Sequence, residues 1–571
     1  MVLLTFKTEI GQLVSTLTGL DAGEVMRLLE IPPEPGLGEY AFPCYVLARR
    51  FKKPPPAIAA ELAEKMEPTG QLEKALNAGS YLNFYVQRPQ LFQRLLSRII
   101  KEGPEHAFPM EGKGQTIVID FSAPNIAKPF GIGHLRSTVI GGTLQRLYES
   151  LGYRVVGINH LGDWGTQFGK LITAYRHWGD EEQLENDPIT YLYQLYVQFH
   201  KEAEKNPELE EEAREHFRSL ENGESEPRKL WERFRALSLE EFKRLYRILG
   251  VNFHSYQGES FYNDLLQDTI AKVKEKGLTK ESEGALVVDL EPHGLPSCLL
   301  RKKDGATLYI TRDLAAAIYR YEHFRFSKIL YVVGAEQTLH FKQLFKILEL
   351  MGYPWAKNCI HIPFGLIHFK DGKMSTREGK VIFLEEVLNR AMKLAREIIQ
   401  EKNPSLQNKD DAARMVGIGS VIFADLVNDR IKNIEFDWDK VLDFSGETAP
   451  YIQYSHARIC SILRKAESEG IEVMDLALPD FSGAAPEEEQ LLITLARFAE
   501  QVKRAADDYR PSYLARYLLE LARDFNKFYH NCPVLTAGEN QKFARLLLIE
   551  GVRRVLSSGL QLLGIEAPRE M

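Results

Sequence analysis

Features that would classify this chain at once are scarce. Its 571 residues include only five cysteines, Cys44, Cys298, Cys359, Cys460 and Cys532, and no two of them are spaced as CxxC. That argues against a zinc site or a disulfide framework and leaves them as buried reduced thiols. No apolar run approaches the roughly 20 residues needed to span a bilayer. The opening MVLLTFKTEIGQL carries an acidic residue early and has no signal-peptide pattern, so the chain is expected to be cytoplasmic with no membrane partner. A GxxxxGK[ST] string is absent, which removes the P-loop NTPases. Basic excess is absent too, since 72 Lys and Arg face 79 Asp and Glu, for a net charge of −7. Binding to nucleic acid would therefore need a local basic surface. No internal repeat or low-complexity segment is found. Acid concentrates in Pro207 to Glu226, PELEEEAREHFRSLENGESE, which reads as a solvated helix and loop.

Against these absences stands one informative stretch, Asp120 to Arg146, DFSAPNIAKPFGIGHLRSTVIGGTLQR. The β-favouring run from Thr116 to Phe121 leads into a loop broken by Pro and Gly, and Leu135 to Leu147 can continue as a helix. A strand, loop and helix with Gly131-Ile-Gly133 at the helix start leaves backbone N–H groups and the helix dipole facing an anion. Lys128, His134 and Arg136 add donors at the same point. Alone, such a turn also fits plain βα packing. A second β run, Arg154 to Asn159, reaches HLGDWGTQFG before a helical pattern, as in a doubly wound parallel sheet.

The flanking residues resemble the class I aminoacyl-tRNA synthetases, whose first signature, His-Ile-Gly-His, is read here as Gly131-Ile132-Gly133-His134. Ser122-Ala-Pro-Asn125-Ile-Ala-Lys128, NHLGDWGTQFG, YITRDLAAA around Asp313 and Gly334-Ala-Glu-Gln337 are similar to the arginyl-tRNA synthetase family. Asp371-Gly-Lys373-Met374-Ser375-Thr376 resembles the second signature, Lys-Met-Ser-Lys-Ser. Two letters depart. Gly131 replaces the first histidine, and Thr376 replaces the second lysine, whose charge Lys128 would supply from upstream.

The resemblance implies a Rossmann-type parallel-sheet α/β catalytic domain with a connective insertion, a small α/β N-terminal domain and an all-α C-terminal anticodon-binding domain. The expected boundaries are 1–105 for an N-terminal tRNA-elbow domain, 106–404 for the catalytic domain and 405–571 for the helical domain. The insertion falls at 178–300 and the second-signature region at 365–404. The activity implied is ATP-dependent formation of arginyl-adenylate and transfer of arginine to the terminal ribose of tRNA(Arg). A tRNA-binding relative with impaired catalysis, motivated by Gly131, is the alternative. ATP enters with Mg2+ as the substrate complex, no tightly bound metal is expected, and the partners are tRNA(Arg), L-arginine and ATP, with the protein a monomer.

By the same resemblance, Lys128, His134 and Lys373 are catalytic, stabilising charge on the leaving pyrophosphate, while Gly131, Gly133, His134, Lys373, Met374 and Ser375 bind ATP. Asp313 and Glu259 would hold the guanidinium, which is planar, permanently charged and best met by carboxylates. Tyr309 would pack on or bond to that side chain, and Asn125 and Gln337 would take the α-amino and carboxylate end. Tyr81 and Asn83 would meet the tRNA elbow, and Tyr451, Tyr454 and Arg458 the anticodon region, because exposed RNA bases are read by stacking and amide contacts. Each of these aromatics also fits a core position. Helical periodicity dominates the C-terminal part, at Leu492, Leu495, Ala499 and Val502 and at Leu514, Tyr517, Leu518, Leu521 and Phe525.

Overall fold

A computed structural model describes residues 2–369, 382–479, 481 and 483–571. Lys373, Met374, Ser375 and Thr376 lie outside the described residues. At the N-terminus, β1 (Tyr40–Pro43), β2 (Leu72–Ala78) and β3 (Tyr81–Val86) form an antiparallel sheet in the order β1-β3-β2. The Pro55–Lys65 helix packs on β2 and β3. The segment Tyr81–Val86 alternates in sequence like a half-buried strand; it forms β3, the central strand, in which Leu82, Asn83 and Phe84 are all buried. Asn83 is 2 % exposed opposite Ala41 and Leu76. Its amide is thus not offered to a base in this structure, whereas Tyr81 is partly exposed with its ring edge-on to that of Tyr45.

The central sheet is parallel throughout. After β4 (Thr116–Asp120), the Gly133–Ser150 helix crosses to β5 (Arg154–Ile158). Then comes a helical layer, Thr166–Trp178, Pro188–Ala203, Glu208–Glu221 and Ser225–Ile248, followed by an antiparallel sheet of β6 (Thr279–Ser282), β7 (Ala285–Val288) and β8 (Cys298–Arg301). The Tyr309–Phe324 helix returns the chain to β9 (Lys328–Gly334), which pairs with the other edge of β4, and β10 (Cys359–Phe364) follows outside it. In the order β10-β9-β4-β5, consecutive strands run outward in opposite directions from the β4/β9 pair. The loops leaving the carboxyl ends of β4 and β9 therefore diverge and open a crevice, the usual ligand position in such sheets.

Beyond β10, β11 (Ile367–Phe369) pairs in parallel with β12 (Ile434–Phe436), and the Leu384–Lys402 and Lys409–Leu426 helices pack together. The remaining long elements are helices, from Ala449–Ser468 to Glu539–Leu563. All nine periodic positions named above, from Leu492 to Phe525, are buried, so the 3.6-residue pattern marks a real core face. Lys7 pairs with Glu500 at 2.8 Å, Tyr40 donates to Glu500 at 2.7 Å, and Arg88 bridges Glu39 and Glu489 at 2.9 and 3.1 Å, which seats the N-terminal sheet on these helices. All five cysteines are buried and free.

Arg136 departs from its expectation as a donor to a bound anion. It is 1 % exposed. Its Nε donates to Asp425 Oδ2 at 2.8 Å and its Nη1 to the carbonyls of Gly365 and Lys432 at 2.7 and 2.8 Å. The signature helix is thereby bolted to the segments on either side of the 366–431 region. Replacing Arg136 by Ala leaves Asp425 buried without its cation and is expected to cost about 3–5 kcal/mol, whereas Arg136→Met with Asp425→Leu costs far less. Thermal unfolding of the two proteins checks this, and equal midpoints would refute it.

Candidate active site

The loop after β4 carries three non-glycine residues in the left-handed region, Ser122 at φ 72°, Ala123 at 47° and Ala127 at 59°. Such conformations cost about 1–3 kcal/mol each and persist only where the surroundings over-determine them. Ser122 N–H donates to Ser137 Oγ at 2.8 Å, and Ser122 Oγ meets Thr138 Oγ1 and Tyr246 OH, each at 2.8 Å. Ala127 N–H reaches Ser238 Oγ at 3.1 Å. Tyr246 and Ser238 belong to the Ser225–Ile248 helix, so the inserted layer helps hold the strained loop.

Asn125 lies against Gly162. A Cβ at Gly162 would stand 2.1 Å from Asn125 Oδ1, so a side chain there would displace the Asn125 amide from its place between the loops after β4 and β5. Gly133 is different. A Cβ there would meet nothing within 4 Å, and its backbone lies outside the left-handed region, so the chain itself places no demand for glycine at this exposed helix start.

The supply of free amides is smaller than the bare Gly-x-Gly pattern implies. Ile132 N–H donates to Ile382 O at 3.0 Å, and His134 N–H to Gly131 O at 3.0 Å. Leu384 N–H donates to Phe130 O at 2.9 Å, and Gly131 pairs antiparallel with Phe383. The first-signature loop is thus laced to the residues that follow the second signature.

His134 packs on Phe130, ring centroids 5.2 Å apart, and its Nδ1 is buried with no partner among the described residues. Burial, with Lys128 adding positive charge nearby, pushes its pKa down to about 4, against a smaller opposing bond to Gly131, so the ring is neutral at pH 7. The Lys128 ammonium lies 5.2 Å from the centre of the Tyr196 ring, which comes from the inserted layer.

Across the crevice, Asp313 stands in the first turns of the Tyr309–Phe324 helix. Its Oδ2 accepts from His340 Nε2 at 2.5 Å, and His160 Nε2 is 3.9 Å from Oδ1. Burial alone would raise the Asp313 pKa, but the His340 bond and the charges of His340, His160 and Arg320 outweigh it and hold the carboxyl below the usual range. Two helical turns on, the same face carries Arg320, which donates to Asp120 at 2.7 Å and lies between the Tyr262 and Tyr331 rings. This buried pair forms the floor.

Glu259 opens a short helical turn, Glu259–Leu265. Burial, opposed in part by Arg312 and reinforced by Asp313 and Asp163, pushes its pKa up to about 7. Its carboxylate makes no hydrogen bond to a described residue. Asp313 is thus held in its ionised form while Glu259 is held toward its protonated one, and a cation arriving between them would favour ionisation of Glu259.

The structure brings Asn125, His134, Glu259 and Asp313 to the carboxyl edge of the sheet. Tyr309 is 65 % exposed at the start of its helix, and Gln337 is exposed after β9. Sequence reasoning missed His160, Asp163 and His340 as members of the site, although two sit in NHLGD and the third in GAEQTLH. In the C-terminal helices, Tyr451, Tyr454 and Arg458 do form one cluster. The Arg458 guanidinium lies 4.7 Å from the Tyr454 ring and 5.2 Å from that of Tyr529, and donates to Asn526, which donates to Tyr451 OH at 3.0 Å. Tyr454 and Tyr529 are 41 and 42 % exposed.

Comparison with known proteins covers the whole chain. Residues 97–438 match the model for tRNA synthetases class I (R), catalytic domain, residues 4–86 the arginyl tRNA synthetase N terminal domain, and residues 452–571 the DALR anticodon binding domain. An arginine–tRNA ligase of Halothermothrix orenii is 47 % identical over 570 residues, covering 100 % of both chains. The solved arginyl-tRNA synthetase of Thermus thermophilus superposes with a TM-score of 0.82 at 29 % identity, over 95 % of this chain and 96 % of that one. That of Plasmodium falciparum, at 22 % identity and TM-score 0.80 over 95 % and 94 %, shares the fold.

The depressed pKa of His134 has a direct readout. Imidazole NMR should show the ring neutral down to about pH 4 rather than 6.5. Because the folded value lies below the unfolded one, the neutral ring's contribution to stability is complete above 6.5 and is lost as pH falls toward 4. Titration of the His134 resonance above pH 6 would contradict this environment.

Proposed function

The chain belongs to the arginyl-tRNA synthetases of class I, and on that premise we infer how its residues activate arginine and charge tRNA(Arg). The arginine carboxylate attacks the α-phosphorus of ATP, forming arginyl-adenylate and expelling pyrophosphate. A ribose hydroxyl at the tRNA terminus then attacks the acyl carbon, and AMP leaves. Mg2+ accompanies ATP as part of the substrate. The first step asks the protein for alignment and for positive charge where pyrophosphate develops negative charge. In this reading the nucleotide lies over exposed Gly133. Neutral His134 donates to it, and Lys128 and Lys373 supply charge.

The arginine side rests on one observation above the others, the two acids Asp313 and Glu259 facing the same crevice with His340 and His160 set on the first. A guanidinium offers donors to both carboxylates. Binding it offsets the repulsion between them, whereas a neutral side chain leaves the pair uncompensated. Asn125 and Gln337 take the α-amino and carboxylate end, and Tyr309 packs on the side chain. For tRNA, we assign the exposed cluster of Tyr454, Arg458 and Tyr529, backed by Tyr451, to stacking with anticodon-loop bases, and Tyr81 to the elbow. Gly131 is the residue that favours a catalytically impaired reading. Retention of His134 and of both arginine-site acids weighs against it.

ATP–pyrophosphate exchange assayed with tRNA(Arg) should require arginine, and exchange that is equal with lysine or with no amino acid would sink the assignment. The acid at 259 adds a pH signature. Free Glu259 titrates at about 7, and a bound guanidinium favours its ionised form, so below 7 binding must expel a proton. The KM for arginine should rise by up to about tenfold per pH unit below 7 and level off above it. Glu259→Gln should raise the KM and abolish that slope.

A further inference from the structure

We infer that Arg235 and Asp163 act together as positioning residues that fix Glu259 for the guanidinium, although neither touches the substrate. This rests on the reading above that Glu259 holds arginine. Asp163 is completely buried. Its Oδ1 accepts from Ser260 N–H at 2.8 Å, and its Oδ2 accepts from Ser260 Oγ at 2.9 Å and from Arg235 Nε at 2.8 Å. Its main-chain oxygen accepts from the Trp231 indole at 2.8 Å. Arg235 also donates from Nη2 to Tyr256 O at 3.1 Å. One guanidinium therefore grips both the carboxylate below Glu259 and the strand-like segment that leads to it.

That segment runs beside β5. His254 N–H donates to Gly157 O at 2.8 Å, and Asn159 N–H to Ser255 O at 2.9 Å. At its end, Glu259 N–H donates to Leu161 O at 3.0 Å, while the next residue, Ser260, is held twice by Asp163. A Cβ at Gly258 would lie 2.5 Å from the Asp163 carboxylate, so the backbone before Glu259 rests directly on that group. The Glu259 backbone is fixed on both sides, and its carboxylate makes no hydrogen bond to a described residue. A binding acid needs this combination, with the main chain immobile and the charged end left for the ligand. Charge-assisted bonds to a buried carboxylate are the strong kind, and Arg235 and Trp231 both belong to the Ser225–Ile248 helix. The inserted layer thereby reaches the arginine pocket through two side chains.

The test uses the full-length protein with tRNA(Arg), measuring KM for arginine and for ATP, and kcat, in exchange and charging. Arg235→Gln should raise the arginine KM on the order of tenfold or more with the ATP KM unchanged, as misplacing a binding group does. Arg235→Lys, which keeps the charge and loses the fork, should fall between. Ser260→Ala, which removes one bond without stranding a charge, should raise the same KM about two- to tenfold and carries the test if Arg235→Gln does not fold. A role exerted through Glu259 also demands non-additivity, so Arg235→Gln with Glu259→Gln should show the arginine KM of Glu259→Gln alone. An unchanged arginine KM in the folded variants, or effects that multiply in the double variant, overturns the inference. If Glu259→Gln itself leaves the arginine KM unchanged, the underlying assignment of Glu259 fails instead.

Discussion

The structure depends on a short piece of backbone pairing. Ile132 N–H bonds to Ile382 O and Leu384 N–H to Phe130 O, so the chain just after the second signature is a partner of the first. Arg136 reinforces the join by donating to the carbonyls of Gly365 and Lys432 from one buried guanidinium. The two signatures are separated by more than two hundred residues of sequence, and in the proposed reaction the phosphates of one nucleotide would meet both. Fixing the main chain at this join removes the entropy of finding that geometry on each turnover. Strain at Ser122, Ala123 and Ala127 is tolerable in the same terms, because hydrogen bonds from the Gly133–Ser150 and Ser225–Ile248 helices hold the loop.

The amino-acid side follows a different logic, in which charge is left unmatched on purpose. Asp120 has Arg320 and Asp163 has Arg235, each a satisfied acid. Among the described residues, Asp313 bonds or pairs with histidines, and Glu259 is pushed toward protonation by burial and by its acidic neighbours. The satisfied pairs build the floor and the back wall, and the less satisfied ones face the crevice. Under the proposed function, a cationic substrate would be worth more to such a site than a neutral competitor of the same shape.

Much of the architecture was legible locally. The alternation of β runs and helices around residues 116–170 and 307–350, and the 3.6-residue pattern beyond 490, report core faces that neighbouring residues determine. Glu259 and Asp313 were singled out from distinctive strings, and the fold places both at the carboxyl edge of the central sheet. Arg136 was not, because its partners, Asp425, Gly365 and Lys432, are more than two hundred positions away. An arginine beside a phosphate-binding loop reads as a ligand donor until the fold buries it. The burial of Asn83 was not legible either, since alternation between Leu82 and Phe84 suggests an outward polar position, whereas both faces of β3 are covered. The pairing of Arg235 with Asp163 beneath Glu259 also escaped, because the two are 72 positions apart and meet through the inserted layer.

The most direct test of the account is a crystal structure of the protein with arginine and a non-hydrolysable ATP analogue. The account predicts the guanidinium within hydrogen-bond distance of both Glu259 and Asp313, with the nucleotide over Gly133 and His134. A guanidinium out of reach of both carboxylates, or a nucleotide bound away from the carboxyl ends of β4 and β9, would contradict it.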